Sequence, residues 1–225
     1  MRVARANTKA ITYACKQFHY AKSVPTVQFA YNVYNNNDEW CGCIIFGGGA
    51  NNNLATSFGM IPGEVLELER VALNGKQEHT SQAVAMSLRQ LHIDDPLCKM
   101  VVSYSDHRQK HIGTIYQATN WIYLGVSVTS DTQYFYNGKW THERTINSKP
   151  NRAQLKKILP KRENSNKFKY VFCFEKKLRK QMLKKSLPYP KDKDLTECTM
   201  QVQEKTISKK GGEALSPEKD NMKSG

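Results

Sequence analysis

Apolar positions of helical period open the chain. Ile11, Cys15 and Phe18 form a stripe within residues 7–20, Asn7 or Thr8 stands where a cap belongs, and Pro25 ends the segment. Val27, Phe29, Tyr31 and Val33 then alternate with their neighbours, which predicts a strand over 27–34. Asn35-Asn36-Asn37-Asp38 turns the chain, and Trp40–Phe46 returns as the hairpin partner. The pattern is clearest from Glu64 to Gly125. Val65–Leu73 reads as a strand closed by Asn74-Gly75, and Thr80 and Ser81 are candidate caps for a helix in which Val84, Leu88 and Leu91 recur. Met100–Tyr104 is a second strand. Gly113-Thr114 opens a second helix, predicted to carry Ile115, Ala118 and Ile122 on one face and to stop at Gly125. Further on, Val126–Thr129 reads as a strand, and Asn137-Gly138 between Tyr134-Phe135-Tyr136 and Trp140-Thr141-His142 signals a hairpin. Asn151 heads a short helix stopped by Pro160, residues 169–175 form a last strand, and a basic helix over 176–186 is cut off by Pro188 and Pro190. Strand–helix–strand–helix order predicts an α/β domain over 1–190, and the polar, aromatic-poor stretch 191–225 a disordered tail.

Charge changes this picture in one region. The 225 residues carry a formal charge of +14, and between Lys149 and Pro190 stand 14 Lys and Arg against two acids, Glu163 and Glu175. A surplus that concentrated predicts a polyanionic partner bound through its phosphates. No window approaches the roughly 18–20 apolar residues of a membrane span, and MRVARANTKA has no secretory apolar segment, so no membrane partner is expected. The six cysteines have neither zinc-finger nor redox spacing, which predicts a reduced, intracellular protein; Cys41 and Cys43, alternate on a strand, read as core.

Candidate chemistry gathers at three places. His19-Tyr20-Ala21-Lys22-Ser23 crowds polar groups at a helix end. Glu67, Glu69 and Arg70 interrupt an apolar strand; strict alternation puts both acids on one face and Arg70 on the other, either as a scaffold ion pair or as the lining of an active site. Ser103-Tyr104-Ser105-Asp106-His107 follows the next strand, where open α/β sheets hold ligands; alternatively His107, Arg108, Lys110 and His111 form a basic loop for a phosphate backbone. Tyr116 and Asn120 are expected on one side of the following helix. The turn Gln77–Gln82 precedes a helix whose N-terminal N–H groups suit a phosphate. Gly47–Gly49 lacks the Lys and Ser/Thr of a nucleoside-triphosphate loop and reads as a mobile loop beside a site.

His19–Pro25, Leu68–Val71, Ser103–Asp106, the run His111–Gly125 and the basic block Lys169–Pro190 together resemble the Mom DNA-modification proteins of bacteriophages, a divergent branch of the GNAT acyltransferases. The resemblance covers residues 10–190 and is most specific in the run ending at Gly125. It implies a mixed, mostly antiparallel sheet with splayed central strands, flanked by helices and followed by a basic extension. It implies acetyl-CoA as co-substrate, double-stranded DNA with a flipped adenine as partner, and conversion of that adenine to a carbamoylmethyl form that hides phage DNA from restriction in the cytoplasm of the infected host. Iron is associated with the family, and His19 with Tyr or Asp partners is the candidate ligand.

On that resemblance Asp106 is the candidate base, Tyr104 or Tyr116 the acid, and Arg70 and Glu69 belong to the same centre. His19, Tyr20, Ser23, Ser103, Asn120 and Trp121 are expected at the substrate, with Trp40, Trp121, Tyr20 or Tyr104 stacking on the base. Val71, Leu73, Gln77, His79, Thr80, Ser81, Gln82 and Ala83 are expected at the cofactor. Lys156, Lys157, Lys176, Lys177, Arg179, Lys180 and Lys184 are expected at DNA. One departure stands out: Gln77–Ala83 has no glycine where GNAT enzymes place theirs, although Ser81 and Ala83 are small, and Glu78 would repel a phosphate if it pointed inward. Two rival readings are a conventional N-acetyltransferase acting on a protein or small amine, and a DNA-binding protein without catalysis.

Overall fold

The computed structural model describes residues 1–49, 53–106, 109, 111–127, 132–163 and 166–191. The predicted tail lies outside the described residues except for Lys191, as do His107, Arg108 and Lys110. Among the described residues the strands are β1 (Arg2–Arg5), β2 (Phe29–Tyr34), β3 (Trp40–Gly47), β4 (Val65–Leu73), β5 (Met100–Asp106), β6 (Ile122–Ser127), β7 (Thr132–Tyr136), β8 (Lys139–His142), β9 (Lys161–Glu163) and β10 (Lys167–Cys173). The α-helices among the described residues are α1 (Thr8–Phe18), α2 (Thr80–Asp94), α3 (Thr114–Ala118), α4 (Glu143–Asn147), α5 (Arg152–Ile158) and α6 (Lys176–Leu183).

The main sheet has the order β1-β2-β3-β4-β5-β10-β6 and is antiparallel everywhere except between β4 and β5. It is the mixed, mostly antiparallel sheet expected. Ala30, Cys43, Ile45 and Ala72 pack against Ile11, Ala14 and Cys15 of α1. Tyr31, one residue on from Ala30 and so on the opposite face, donates its hydroxyl to Asp94 at the end of α2, 2.9 Å away. The two long helices therefore cover opposite faces. α6 closes the other half of the sheet by burying Leu178 and Met182 against Met100, Val102, Ile122 and Val171. Cys41 and Cys43 are core, as their alternation suggested.

The parallel pair decides where a site can form. β4 and β5 pair only over Val65–Glu67 and Met100–Val102. Beyond that point β4 stays bonded to β3 and β5 to β10 as far as Asp106, so the two strands part. At the fork the buried Ser103 Oγ donates to the Leu68 carbonyl at 3.1 Å, a side chain doing for a freed carbonyl what the ladder no longer does. β4 also bulges: Ile45 faces Arg70 and Phe46 faces Leu68, which leaves Glu69 as the extra residue. Strict alternation of Glu69 and Arg70 is thereby corrected.

The second predicted helix is also corrected. α3 ends at Ala118, and Asn120 takes the left-handed conformation (φ 59°) that ends helices where Gly is absent. Ile122 then starts β6, so the predicted strand over 126–129 begins earlier; its last two residues lie outside the described ones. Gly125 keeps the positive φ its identity suggested (91°), but in a strand, where β6 slips register against β10. At α2 the cap is His79, which offers no side-chain hydrogen bond, rather than Thr80 or Ser81. Tyr134, Ile146 and Leu155 form a separate small core, between the three-stranded sheet β8-β7-β9 and helices α4 and α5.

Candidate active site

The fork between β4 and β5 opens into a cleft of about 560 Å³, a size that suits a small ligand. Leu68, Glu69, Arg70 and Val71 line it from β4, Tyr104, Ser105 and Asp106 from β5, Phe18, His19 and Tyr20 from the end of α1, and Thr80 from the start of α2. Gln109, His111, Gly113, Thr114, Ile115 and Tyr116 complete the wall. Gly113 has to be glycine: its φ is 80°, and a Cβ would lie 2.5 Å from the Tyr170 ring.

Arg70 is the charge at the centre. Its Nη1 donates to the carbonyl of Glu69 at 2.6 Å, while the two side chains only approach to 4.0 Å. Its buried Nε has no hydrogen-bond partner among the described residues, the arrangement of a guanidinium placed for an anionic or carbonyl ligand. Burial pushes the Glu69 carboxyl up, partly offset by Arg70 and by the Gly49 N–H that donates to Oε1 at 3.2 Å. Gly49 thus ties the glycine loop to the cleft. Burial, with the Arg70 charge beside it, lowers the His19 imidazole to about 4. Its Nδ1 accepts from Ala21 N–H at 3.2 Å, and its ring packs on Tyr20 at 4.4 Å.

The phenols move the other way. Burial, then the Glu67 carboxylate, raises Tyr104 to about 12. Tyr116 is raised to about 12 by burial, offset by its hydrogen bond with Ser103 at 2.8 Å. Tyr20 is raised by burial and by the Asp106 charge. All three stay protonated at neutral pH and keep an O–H to donate.

His19 gives a pH prediction. The unfolded chain binds a proton on it below about pH 6.5, while the folded imidazole resists protonation down to about pH 4. Stability therefore rises with pH between those values and falls on acidification through them. His19→Gln is expected to flatten that part of the stability–pH curve from urea titrations, and an NMR midpoint for His19 near 6.5 would overturn the assignment.

Among the residues expected from sequence, Arg70, Glu69, Tyr104, Asp106, Tyr116, His19, Tyr20, Val71 and Thr80 meet in the cleft. The remaining expected residues do not line it. Trp121 is wholly buried between Tyr116 and Phe172, which leaves no face for a base. Trp40 packs against Tyr13 and Phe18. Ser103 lies beneath the floor and holds Tyr116 and Leu68, Asn120 ends α3, and Ser23 is exposed. Leu73, Gln77, His79, Ser81, Gln82 and Ala83 stand off from the cleft, Ala83 fully buried. Gln77 instead braces Thr80, its Nε2 donating to Oγ1 at 2.8 Å. Glu78 accepts the Asn36 N–H at 2.7 Å, so its charge is held at the β2–β3 turn. Sequence reasoning missed Phe18, Ser105, Gln109, Thr114 and Ile115 at the site, and named His111 only as a phosphate contact; adjacency to His19 for Phe18, and to the Ser103–Asp106 and Gly113 signals for the others, was their one trace.

The basic residues divide. Lys176, Lys177, Lys180 and Lys184 are exposed on and just after α6, and Lys157 is exposed on α5. Lys156 is bound to Glu143, and Arg179 donates to the Asn120 carbonyl at 3.0 Å. For the iron that the resemblance implies, no group of three or more His, Cys, Asp or Glu side chains among the described residues is placed to hold a metal ion; Tyr20, Tyr104 and Asp106, the residue types expected beside His19, line the same cleft. No described helix is long and apolar enough to cross a membrane.

A mixed α/β protein whose central parallel strands part over a cleft holding a partly buried guanidinium, a carboxylate and protonated phenols is the class this structure defines. The chain belongs to the Mom protein family, whose sequence profile matches residues 1–191. It is 28% identical over 137 residues to the methylcarbamoylase Mom of Escherichia phage Mu, a match that takes in 56% of this chain and 56% of that relative. Solved structures with a similar course of chain include a Bacillus subtilis acetyltransferase in complex with CoA, 8% identical with a TM-score of 0.43 over 77% of this chain and 99% of that one. A putative phosphinothricin N-acetyltransferase is 9% identical with a TM-score of 0.45 over 77% and 98%.

Proposed function

We propose that this chain is a transferase that moves a two-carbon unit from acetyl-CoA onto the exocyclic amine of adenine in DNA, giving a carbamoylmethyl adenine that protects phage DNA from restriction. The observation that carries the reading is the convergence of Arg70 and Glu69 from β4 with Tyr104, Asp106 and Tyr116 at one cleft. Family membership and the name of the phage Mu relative support it. An adenine amine is a weak nucleophile because its lone pair is delocalised into the ring. Asp106 takes the proton as the N–C bond forms. Where the bond forms at the thioester carbonyl, the C–S bond breaks and the thiolate takes a proton from Tyr104 or Tyr116. Attachment through the methyl carbon, which the carbamoylmethyl product requires, is a different step: a methyl C–H bond breaks as the N–C bond forms, two electrons pass to an oxidant, and an ammonia-level nitrogen displaces the CoA thiolate at the carbonyl, the oxidant and the nitrogen both coming from outside the chain. Arg70, with its unsatisfied Nε, binds the acyl carbonyl or the base. The exposed lysines of α6 hold DNA phosphates, and the adenine leaves the stack to enter the cleft.

The test is mass spectrometry of nucleosides from DNA of cells that express the chain. The expected product is a deoxyadenosine heavier by an acetamido group. Unmodified adenine together with retained acetyl-CoA binding would give the protein to the amine N-acetyltransferases. Absence of acetyl-CoA binding with retained DNA binding would leave a DNA-binding protein alone.

A further inference from the structure

Among the described residues, the small sheet β8-β7-β9 has one face packed on a small core and one that carries partly exposed aromatic rings. Tyr134 and Tyr136 of β7 face α4 and α5, where Tyr134, Ile146 and Leu155 are buried. Gln133 and Phe135 point the other way. Register places Phe135 directly opposite Trp140 of β8, and Gln133 opposite both His142 of β8 and Arg162 of β9. Phe135 is 40% exposed and Trp140 38%. Their rings meet edge to face at 5.4 Å. The Arg162 guanidinium lies over the Trp140 ring at 4.2 Å and is steered there by its Nε, which donates to Gln133 Oε1 at 2.9 Å.

We infer that this face is a stacking platform for an unpaired base of a nucleic acid strand, with Trp140 and Phe135 as the surface and Arg162 as its cationic edge. Two adjacent large aromatic rings, each more than a third exposed, stand on the face of the sheet opposite its small core. A base has the flat π-face they match, and its phosphates match the charge around them. Lys139, Lys161 and Arg162 stand on β7–β9 against the single acid Glu163, and the basic helices follow in the same part of the chain. The same charges argue against an acid-poor apolar protein partner. The inference rests on the reading of DNA as substrate, and it adds a second place where a base is held, outside the residues that line the cleft.

The test is fluorescence anisotropy of labelled single-stranded and duplex oligonucleotides titrated with the full chain, wild type and Trp140→Ala, Phe135→Ala and Trp140→Phe. Stacking on one aromatic is expected to be worth about ten- to a hundredfold in affinity. Trp140→Ala and Phe135→Ala should therefore weaken single-strand binding by about tenfold or more, and Trp140→Phe by about threefold at most, with the salt slope unchanged because no phosphate contact is lost. Acetyl-CoA binding should be unaffected in all three, which also reports that they fold. Alanine variants that bind within twofold of wild type overturn the platform while leaving the DNA reading intact. A changed salt slope overturns it too, by making the loss a phosphate contact. A wild-type chain that binds no oligonucleotide overturns both.

Discussion

Asp106→Asn is expected to lower DNA modification by about a hundred- to ten-thousandfold, the range for loss of a positioned base, with acetyl-CoA and DNA binding retained. Asn keeps the size and polarity of the side chain and removes its negative charge and its capacity to take a proton. Asp106 ends β5 where that strand has parted from β4, and its charge is felt by the Tyr20 phenol across the cleft. Two of the other titratable groups that line the cleft are already engaged. Glu69 is tied to the Gly49 N–H beside Arg70, and His19 has one nitrogen engaged by Ala21 and a basicity lowered by burial. Nucleoside mass spectrometry after a fixed expression time gives the activity, and titrations of acetyl-CoA and an oligonucleotide give the binding. Modification within about tenfold of wild type would take the proton away from Asp106.

The largest loss of stability is expected at Trp121. Trp121→Ala should cost about 3–5 kcal/mol, the usual range for deleting a buried large aromatic. The ring is fully enclosed, 5.1 Å from Tyr116 and 5.7 Å from Phe172, and the backbone carbonyl of Trp121 accepts the Tyr189 hydroxyl at 2.5 Å. Because Nε1 has no hydrogen-bond partner among the described residues, Trp121→Phe removes volume without breaking a bond and should be markedly milder. Urea denaturation separates this from the base-stacking role that sequence suggested. A stacking residue would lose DNA affinity at unchanged stability; a core residue loses stability, and Trp121→Phe keeps its affinity for DNA.

Local pattern carried most of the elements. Asn7 caps α1 by accepting the Ala10 N–H at 2.9 Å, Val65–Leu73 is β4 to the residue, and α2 buries Val84, Leu88 and Leu91 as their spacing requires. Pattern failed at 113–125. Apolar residues there satisfy a helical period over a short run, but Asn120 breaks the helix and β10 supplies a strand partner for Ile122–Ser127. A period count over a dozen residues cannot register that partner, which lies some forty residues further on in sequence. The same cause explains the misplaced Asn120, expected beside Tyr116 on one side of a helix that in fact stops at Ala118.

By itself the sequence determined the order and kind of the early elements, the regional excess of positive charge, and the residue types from which a proton-transfer site is made, because each depends on near neighbours or on composition. Tertiary structure alone decided which of those residues meet. β10 enters between β5 and β6 and holds β5, β3 holds β4, and so the parallel pair separates after three residues of contact on each strand. The bulge at Glu69 then turns Leu68–Val71 toward the opening. Hydrogen bonds between strands far apart in the chain make that cleft, and no local pattern encodes where two strands will stop pairing.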